Sequence, residues 1–113
     1  MQEDPLLLLA INESADVIGF RYAHALPSEN GQRIIYDQNG GVMPTARRNG
    51  VSRALLREQH RIAKNRGYDK IRTGVAVALK PMIILNLQEG FEITELIWDE
   101  KFRTKILNFE KKL

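Results

Sequence analysis

The stretch VMPTARRNGVSRALL, residues 42–56, puts two arginines and an asparagine directly before a glycine, after which an amphipathic run begins. The first turn of a helix leaves its backbone N–H groups unpaired, and these donors, with the helix dipole, attract phosphate. Gly50 has no Cβ to keep a phosphate away, and the small Ser52 adds a hydroxyl donor. The stretch therefore predicts an anion-binding loop. A solvated basic loop before a capped helix is the alternative.

Composition limits the wider choice. The chain has 113 residues with 43% hydrophobic and 27% charged residues, which fits one soluble globular domain over residues 1–113. The net charge of +3 suits an anionic ligand but is too small to indicate nucleic acid. The chain has no cysteine and two histidines, so we expect no metal site.

The N-terminal sequence MQEDPLLLLAINE does not read as a signal peptide. It is acidic where a positive region is expected, and its apolar run is short. No segment approaches the roughly 20 apolar residues of a membrane span. We therefore expect a cytoplasmic protein with no membrane partner.

The hydrophobic pattern predicts an α+β or mixed α/β domain with the order β-β-β-α-β-α-β-β. The first helix bridges two strands, which predicts one parallel crossover. Pro27 to Gly31 predicts a loop, since it is rich in turn residues. The predicted strands cover residues 6–11, 17–26, 33–38, 71–78, 91–98 and 105–109, and the predicted helices cover residues 51–66 and 82–89.

The opening stretch resembles the signature of the GCN5-related N-acetyltransferases. Their hallmark is a Gln/Arg-x-x-Gly-x-Gly/Ala loop, usually preceded by Val-x-Pro and followed by a helix with a Leu pair. The residues in register with it are Val42, Pro44, Arg47 and Gly50, while Ser52 replaces the last small residue.

A second motif supports the resemblance. LKPMIILNLQEGF, residues 79–91, is similar to the family's short helix ending in Gly-Phe, and the resemblance covers about residues 6 to 113. It implies a mixed, mostly antiparallel central sheet flanked by two helices. It also implies an acetyltransferase that uses acetyl-CoA as acyl donor. A primary amine would attack the thioester directly, with the carbonyl polarised by backbone donors.

The resemblance also implies where the cofactor binds. The loop amides would hold the pyrophosphate, and the end of the preceding strand would pair with the pantetheine arm. That strand would splay from its neighbour, and Asn39-Gly40-Gly41 either marks this distortion or forms a simple loop. The implied cofactor-binding residues are Val42, Met43, Pro44, Arg47, Arg48, Asn49, Gly50, Val51, Ser52 and Arg53.

The catalytic residues are less clear from the sequence. Asn86 stands where many relatives have a Tyr that protonates the leaving thiolate, so we expect it to position cofactor or acceptor; a helix-surface asparagine is the alternative. Tyr36 and Asp37, on the strand before the loop, are candidates for the general base. Strand packing is the alternative for Tyr36. His60 is expected to be solvent-exposed.

The chain also begins later than typical relatives, which have a further strand and one or two helices ahead of the first strand found here. Leu6 to Leu9 would then form an exposed apolar edge strand, which favours a homodimer. A monomer that buries these leucines under the helices is the alternative. A CoA-binding module with weak or no catalysis competes with the enzyme. A nucleic-acid-binding domain is disfavoured, because an aromatic-basic pattern is missing.

Overall fold

The apolar runs of the sequence form one six-stranded sheet, and both predicted helices form against it. The computed structural model describes residues 5–113, so the first four residues of the predicted domain lie outside the described part. The predicted element order is confirmed. The elements are β1 (Leu6–Ile11), β2 (Val17–Glu29), β3 (Gln32–Val42), α1 (Val51–Asn65), β4 (Lys70–Ala76), α2 (Lys80–Gln88), β5 (Glu92–Asp99) and β6 (Thr104–Lys112), with a short 3₁₀ turn at Pro44–Ala46.

The strands lie in the order β1-β2-β3-β4-β6-β5. All neighbours are antiparallel except β3 and β4, which are parallel because α1 carries the chain back across the sheet. The predicted parallel crossover and the mostly antiparallel sheet are therefore confirmed.

The core lies on one face of the sheet, which we call the helix face. Strand residues that share this face include Ala23, Ile35, Ile71 and Phe109, and they pack with Leu56 of α1 and with apolar residues of α2. Their spacing follows the two-residue period of a strand. The opposite face, which we call the open face, carries no helix of the described residues.

The predicted loop at residues 27–31 is wrong for most of its length. β2 continues to Glu29, which pairs with Gln32, and only Asn30 and Gly31 make the turn, with φ of 52° and 77°. Asn and Gly tolerate this left-handed conformation, so a two-residue hairpin turn replaces a longer loop. Turn residues alone did not reveal that cross-strand pairing continues past Pro27.

β3 and β4 separate after a short paired segment. They pair only from Ile34–Lys70 to Asp37–Thr73, although β3 runs on to Val42 and β4 to Ala76. On its other side β3 stays paired with β2 through Asn39-Gly40-Gly41, with a bulge at Gln38. The glycine segment is thus a distorted strand rather than a simple loop, and it forms one wall of an opening in the sheet.

β1 forms one edge of the sheet, as predicted. Leu6 is buried on the helix face and Leu8 packs beside the core, whereas Leu7 and Leu9 are 56% and 50% exposed on the open face. The alternative that buries all four leucines under the helices is therefore wrong, because alternate strand residues point to opposite faces. No helix among residues 5–113 is long and apolar enough to cross a membrane.

Candidate functional site

The loop before α1 has the geometry of an anion site. Gly50 caps the helix with φ of 77°, a conformation that favours glycine. Within the described residues, no backbone or side-chain acceptor takes the amide hydrogens of residues 48–53. A cavity of about 190 Å³ opens beside this segment, lined by Gly50, Val51 and Ser52 among others. Unpaired donors therefore surround a space of suitable size for a phosphate group.

The three arginines of the loop differ in their partners. The Nε of Arg47 donates to the Val42 carbonyl oxygen over 3.1 Å. Arg53 donates from Nη1 to Glu89 Oε2 over 2.7 Å and from Nη2 to Gln88 Oε1 over 2.6 Å. Arg48 makes no hydrogen bond with the described residues and is exposed. Arg48 consequently has its whole guanidinium available to a ligand, whereas Arg47 is held at one nitrogen by a neutral carbonyl and the charge of Arg53 is paired with Glu89.

The backbone groups of Val42 to Pro44 already have partners. The Met43 amide donates to the Ile18 carbonyl over 2.8 Å, and the Met43 carbonyl accepts from Ala46 over 2.8 Å. The Val42 carbonyl is held by Arg47. The unpaired backbone groups that face the opening lie earlier, in β3 after Asp37 and in β4 after Thr73. A ligand arm would find its backbone partners there more readily than at Val42 to Pro44.

A second cavity fills the opening between the two separated strands. Its volume is about 160 Å³, and its lining includes Asp37, Gly40, Gly74 and Met82, with Arg21 from β2. Asp37 is 2% exposed and bonded to Arg21 Nη1 over 2.9 Å. Burial raises the pKa of Asp37, and the adjacent Arg21 opposes that rise. This carboxylate is held in a buried ion pair, so it suits a general base poorly.

Tyr36 lies on the opposite face of the sheet from Asp37. Its hydroxyl oxygen is 3.2 Å from where a Cβ would stand on Gly74, next to the Asn108 side chain. Burial raises the pKa of Tyr36, with the Asp37 and Asp99 carboxylates adding to the rise. The phenol is therefore protonated at neutral pH, as an ordinary tyrosine is, and this favours a donor role over that of a general base. The place of Tyr36 in the chemistry stays a prediction.

A cavity of about 500 Å³ on the open face meets the opening at this point. Tyr36, Thr73, Glu95 and Asn108 are among its lining residues, and Thr73 also lines the cavity between the strands. The Asn108 amide donates to Glu95 Oε1 over 3.0 Å. Both cavities are thus lined by Thr73, and Gly74, the next residue, lines the cavity between the strands.

Asn86 lies on α2 with its side chain fully buried. The alternative of a helix-surface asparagine is wrong. Neither its amide nitrogen nor its amide oxygen has a hydrogen-bond partner among the described residues, and it lines neither cavity named above near the loop. Buried polar groups of this kind are uncommon and call for an explanation. Its role in positioning cofactor or acceptor stays a prediction.

No family model and no curated protein sequence matches the chain. Solved structures match it strongly. The NatC complex bound to Gag peptide and CoA aligns with a TM-score of 0.88 and 16% identity over 95% of this chain and 70% of that chain. An IAA acetyltransferase from Bacillus cereus aligns with a TM-score of 0.83 and 20% identity over 96% and 78%.

A GNAT family acetyltransferase from Elizabethkingia anophelis, with acetyl-CoA bound, aligns with a TM-score of 0.77 and 22% identity over 95% of this chain and 75% of that chain. The chain has the fold of the GCN5-related N-acetyltransferases. At these identities the GCN5-related likeness establishes the fold alone.

Arg21, which lies between the opening in the sheet and the loop, was not identified from the sequence. Arg21 is 6% exposed and joins the opening to the first turn of α1, where its Nη2 donates to Ser52 Oγ over 3.3 Å. The signal was present in the alternation of β2: Arg21 shares a face with Gly19 and Ala23. A charged residue between two small ones on a core face indicates that the surroundings leave space for it.

Proposed function

We propose that the chain binds acetyl-CoA and transfers its acetyl group to a primary amine by direct attack on the thioester. The unpaired amides of residues 48–53, which open onto a cavity at the start of α1, carry this proposal. They lie beside an opening in the sheet of a fold whose solved examples include proteins bound to CoA and acetyl-CoA. Helix N-termini with free N–H groups bind phosphate.

The pyrophosphate would lie on the amides of residues 48–53, with Arg48 adding a charge-assisted hydrogen bond. Arg47 would act indirectly by holding the Val42 carbonyl. The pantetheine arm would enter between β3 and β4, where the facing backbone groups are not paired with each other. This assignment keeps the predicted loop site but moves the pantetheine contacts from Val42–Pro44 towards Gly40 and Gly74.

The acceptor amine would approach from the open-face cavity and meet the thioester near Gly74. A protonated acceptor first loses one proton to solvent. The neutral amine nitrogen then forms a bond to the carbonyl carbon, the C–S bond breaks, and the nitrogen gives a second proton to solvent. Tyr36 is protonated at neutral pH, so it can donate its phenolic proton to the departing thiolate and then recover a proton from solvent. Glu95 gives this cavity a carboxylate that favours a cationic acceptor.

A CoA-binding module without catalysis is the second candidate. The burial of Asn86 away from the two cavities favours it, because the side chain at the position of the family's catalytic Tyr then contacts neither. Isothermal titration with CoA and acetyl-CoA, followed by a thiol-release assay with a panel of amines, separates the candidates. Binding with amine-dependent thiol release supports the enzyme, and binding without release on any amine supports the module.

If neither CoA nor acetyl-CoA bound, both the enzyme and the CoA-binding module would be ruled out. Tyr36→Phe tests the proton-donor role in an active preparation, with Tyr22→Phe on the same open face as the matched control. We expect Tyr36→Phe to lower kcat about a hundred-fold, the lower end of the usual loss for one general acid. Equal activity of the two variants would remove Tyr36 from the chemistry.

A further inference from the structure

Arg21 is a charged side chain held in the interior between two parts of the proposed cofactor site. Its Nη1 donates to Asp37 Oδ2 over 2.9 Å, and its Nη2 donates to Ser52 Oγ over 3.3 Å. The same Nη2 lies 3.9 Å from the Met82 sulfur. One guanidinium group therefore contacts the opening between β3 and β4, the first turn of α1 and the start of α2.

The backbone of β3 is shaped to receive this group. Gly40 is the cross-strand partner of Arg21, and a Cβ on Gly40 would lie 2.8 Å from both Cζ and Nε of the guanidinium. A real Cβ does not approach so closely, so any side chain here would displace Arg21. The bulge at Gln38 puts Gly40 on the same face as Asp37. Gly40 is therefore required by the packing of Arg21, and not only by the distortion of the strand.

Asp37 extends the connection to two further elements. Its Oδ1 accepts a hydrogen bond from Gln59 Nε2 of α1 over 3.3 Å. Its backbone carbonyl accepts one from Thr73 Oγ1 of β4 over 2.8 Å, at the last pair before the strands separate. A buried ion pair often adds little net stability compared with apolar packing. The network is therefore better explained by fixing one arrangement of these elements than by strengthening the fold.

We propose that Arg21 is a positioning residue that fixes the first turn of α1 relative to the separated segment of β3. Through Ser52 it orients the amides proposed to hold the pyrophosphate, and through Asp37 and Gly40 it orients the wall proposed to hold the pantetheine arm. The effect of Arg21 on cofactor binding rests on the proposed function above. The coupling of the two segments does not depend on it.

The test uses variants that leave no unpaired buried charge. Arg21→Met combined with Asp37→Asn removes both charges of the pair, and Arg72→Met is the matched control: Arg72 is also ion-paired within the sheet, with Glu29 and Glu110, but away from the loop. Hydrogen exchange at the amides of residues 54–57, which bond back to the carbonyls of the first turn of α1, is compared with exchange at residues 60–65 of the same helix. We expect at least about ten-fold faster exchange at the first turn only, because its anchor to the sheet is lost.

CoA affinity supplies the second measurement, at a temperature where all variants are folded. We expect about ten-fold weaker CoA binding for the Arg21→Met/Asp37→Asn variant and wild-type binding for Arg72→Met. Arg21→Lys should recover part of the affinity, since an ammonium can reach one partner but cannot form the same fork. A residue that served stability alone would lower the melting temperature and leave this affinity unchanged.

Gly40→Ala provides an independent check by a double-mutant cycle. In the wild-type background its Cβ displaces the guanidinium, so first-turn exchange and CoA affinity should change as they do without Arg21. In the Arg21→Met/Asp37→Asn background the same alanine should add little, because the conflict is gone. Wild-type exchange and affinity in folded Arg21→Met/Asp37→Asn protein would overturn the proposal. Wild-type protein that fails to bind CoA would overturn the proposed function, while hydrogen exchange would still decide the coupling.

Discussion

Arg53 of α1 and Glu89, which follows α2, form a hydrogen-bonded ion pair with 2.7 Å between Nη1 and Oε2. The Glu89 side chain is 7% exposed and also accepts from Arg57, one helical turn after Arg53, over 2.6 Å. The two helices are therefore joined beside the loop. Arg53, which the sequence assigned to phosphate, is engaged within the protein, whereas Arg48 is not.

This difference predicts unequal effects of two charge removals on CoA binding. Arg48→Gln should weaken binding about ten-fold, because it removes a charge-assisted hydrogen bond to phosphate. Arg53→Gln should weaken it less, since its charge is already balanced by Glu89. Titration calorimetry at two salt concentrations measures both effects, and the Arg48→Gln protein should show the smaller salt dependence. A larger loss for Arg53→Gln would show that Arg53 leaves Glu89 to bind the ligand.

Gly50 and Gly31 allow a matched test of the loop. Both have φ of 77°, and at both a Cβ would meet no atom within 4 Å. Gly50→Ala and Gly31→Ala should therefore lose similar stability, on the order of 1–2 kcal/mol, from the left-handed backbone. Only Gly50→Ala should also weaken CoA binding, because its methyl group enters the proposed phosphate site. Unchanged CoA affinity in folded Gly50→Ala protein would place the phosphates elsewhere.

Replacing Asn86 by alanine should affect activity more than stability. Because both polar atoms of its side chain lack partners, Asn86→Ala should change the free energy of unfolding by less than a typical core truncation of about 2–5 kcal/mol. Turnover on an identified amine should fall about five-fold, the equivalent of one hydrogen bond. Asn86→Tyr should lower stability, because the larger side chain has to fit a fully buried position. Full activity of Asn86→Ala would remove the residue from the site.

His60 predicts a specific loss of stability in acid. It is 7% exposed, its Nδ1 is the acceptor for the Lys111 ammonium over 3.0 Å, and its ring lies edge-on to Phe91. Burial first, and Lys111 second, lower the pKa of His60 from 6.5 to about 4, against a smaller opposing effect of Glu89. The expectation of an exposed His60 was therefore wrong.

A lowered pKa means that the unfolded chain binds the proton first. The contribution of His60 to the free energy of unfolding is complete above pH 6.5 and falls, by up to about 3 kcal/mol, as the pH drops towards 4. Urea denaturation near pH 7 and near pH 4 measures this loss. His60→Gln should show a smaller acid loss than wild type, and His24→Gln, at a partly exposed position, should behave as wild type. Equal acid losses in all three proteins would contradict the assignment.

The exposed leucines of β1 predict self-association of this chain. Leu7 and Leu9 lie on an edge strand whose outer edge is unpaired in the described residues. Sedimentation at micromolar concentration should show a homodimer, and Leu7→Lys should shift it to monomer. Leu96→Lys, on the strand at the other edge and with 55% exposure against 56% for Leu7, is the control and should leave the dimer intact. A monomeric wild-type chain at these concentrations would exclude the dimer.

The local features of the fold could be predicted because they depend on neighbouring residues. Gly50 followed by an amphipathic run determines where α1 begins, since the sign of the φ angle and the helix periodicity are local properties. The short apolar run of residues 71–78 likewise predicts a strand, which the structure places at Lys70–Ala76. These signals gave the element order correctly, whereas the anion-binding role of the loop stays a prediction.

Boundaries and burial depended on partners that the sequence does not identify. Glu29 extends β2 because Gln32 pairs with it, and His60 is buried because Phe91 and Lys111 cover it. Periodicity placed His60 on the helix but could not say how wide a face the sheet would cover.

The sequence by itself determined the helix start at Gly50 and the strands around it. Each follows from φ preferences or side-chain alternation within a few residues. Only the tertiary structure decided that Arg21 reaches Asp37, 16 residues away, and Ser52, 31 residues away. Such contacts require β2, β3 and α1 to be packed at one register, and a shift of one residue would turn Arg21 to the open face. The loop could be recognised in the sequence, whereas Arg21, the residue proposed to position it, could not.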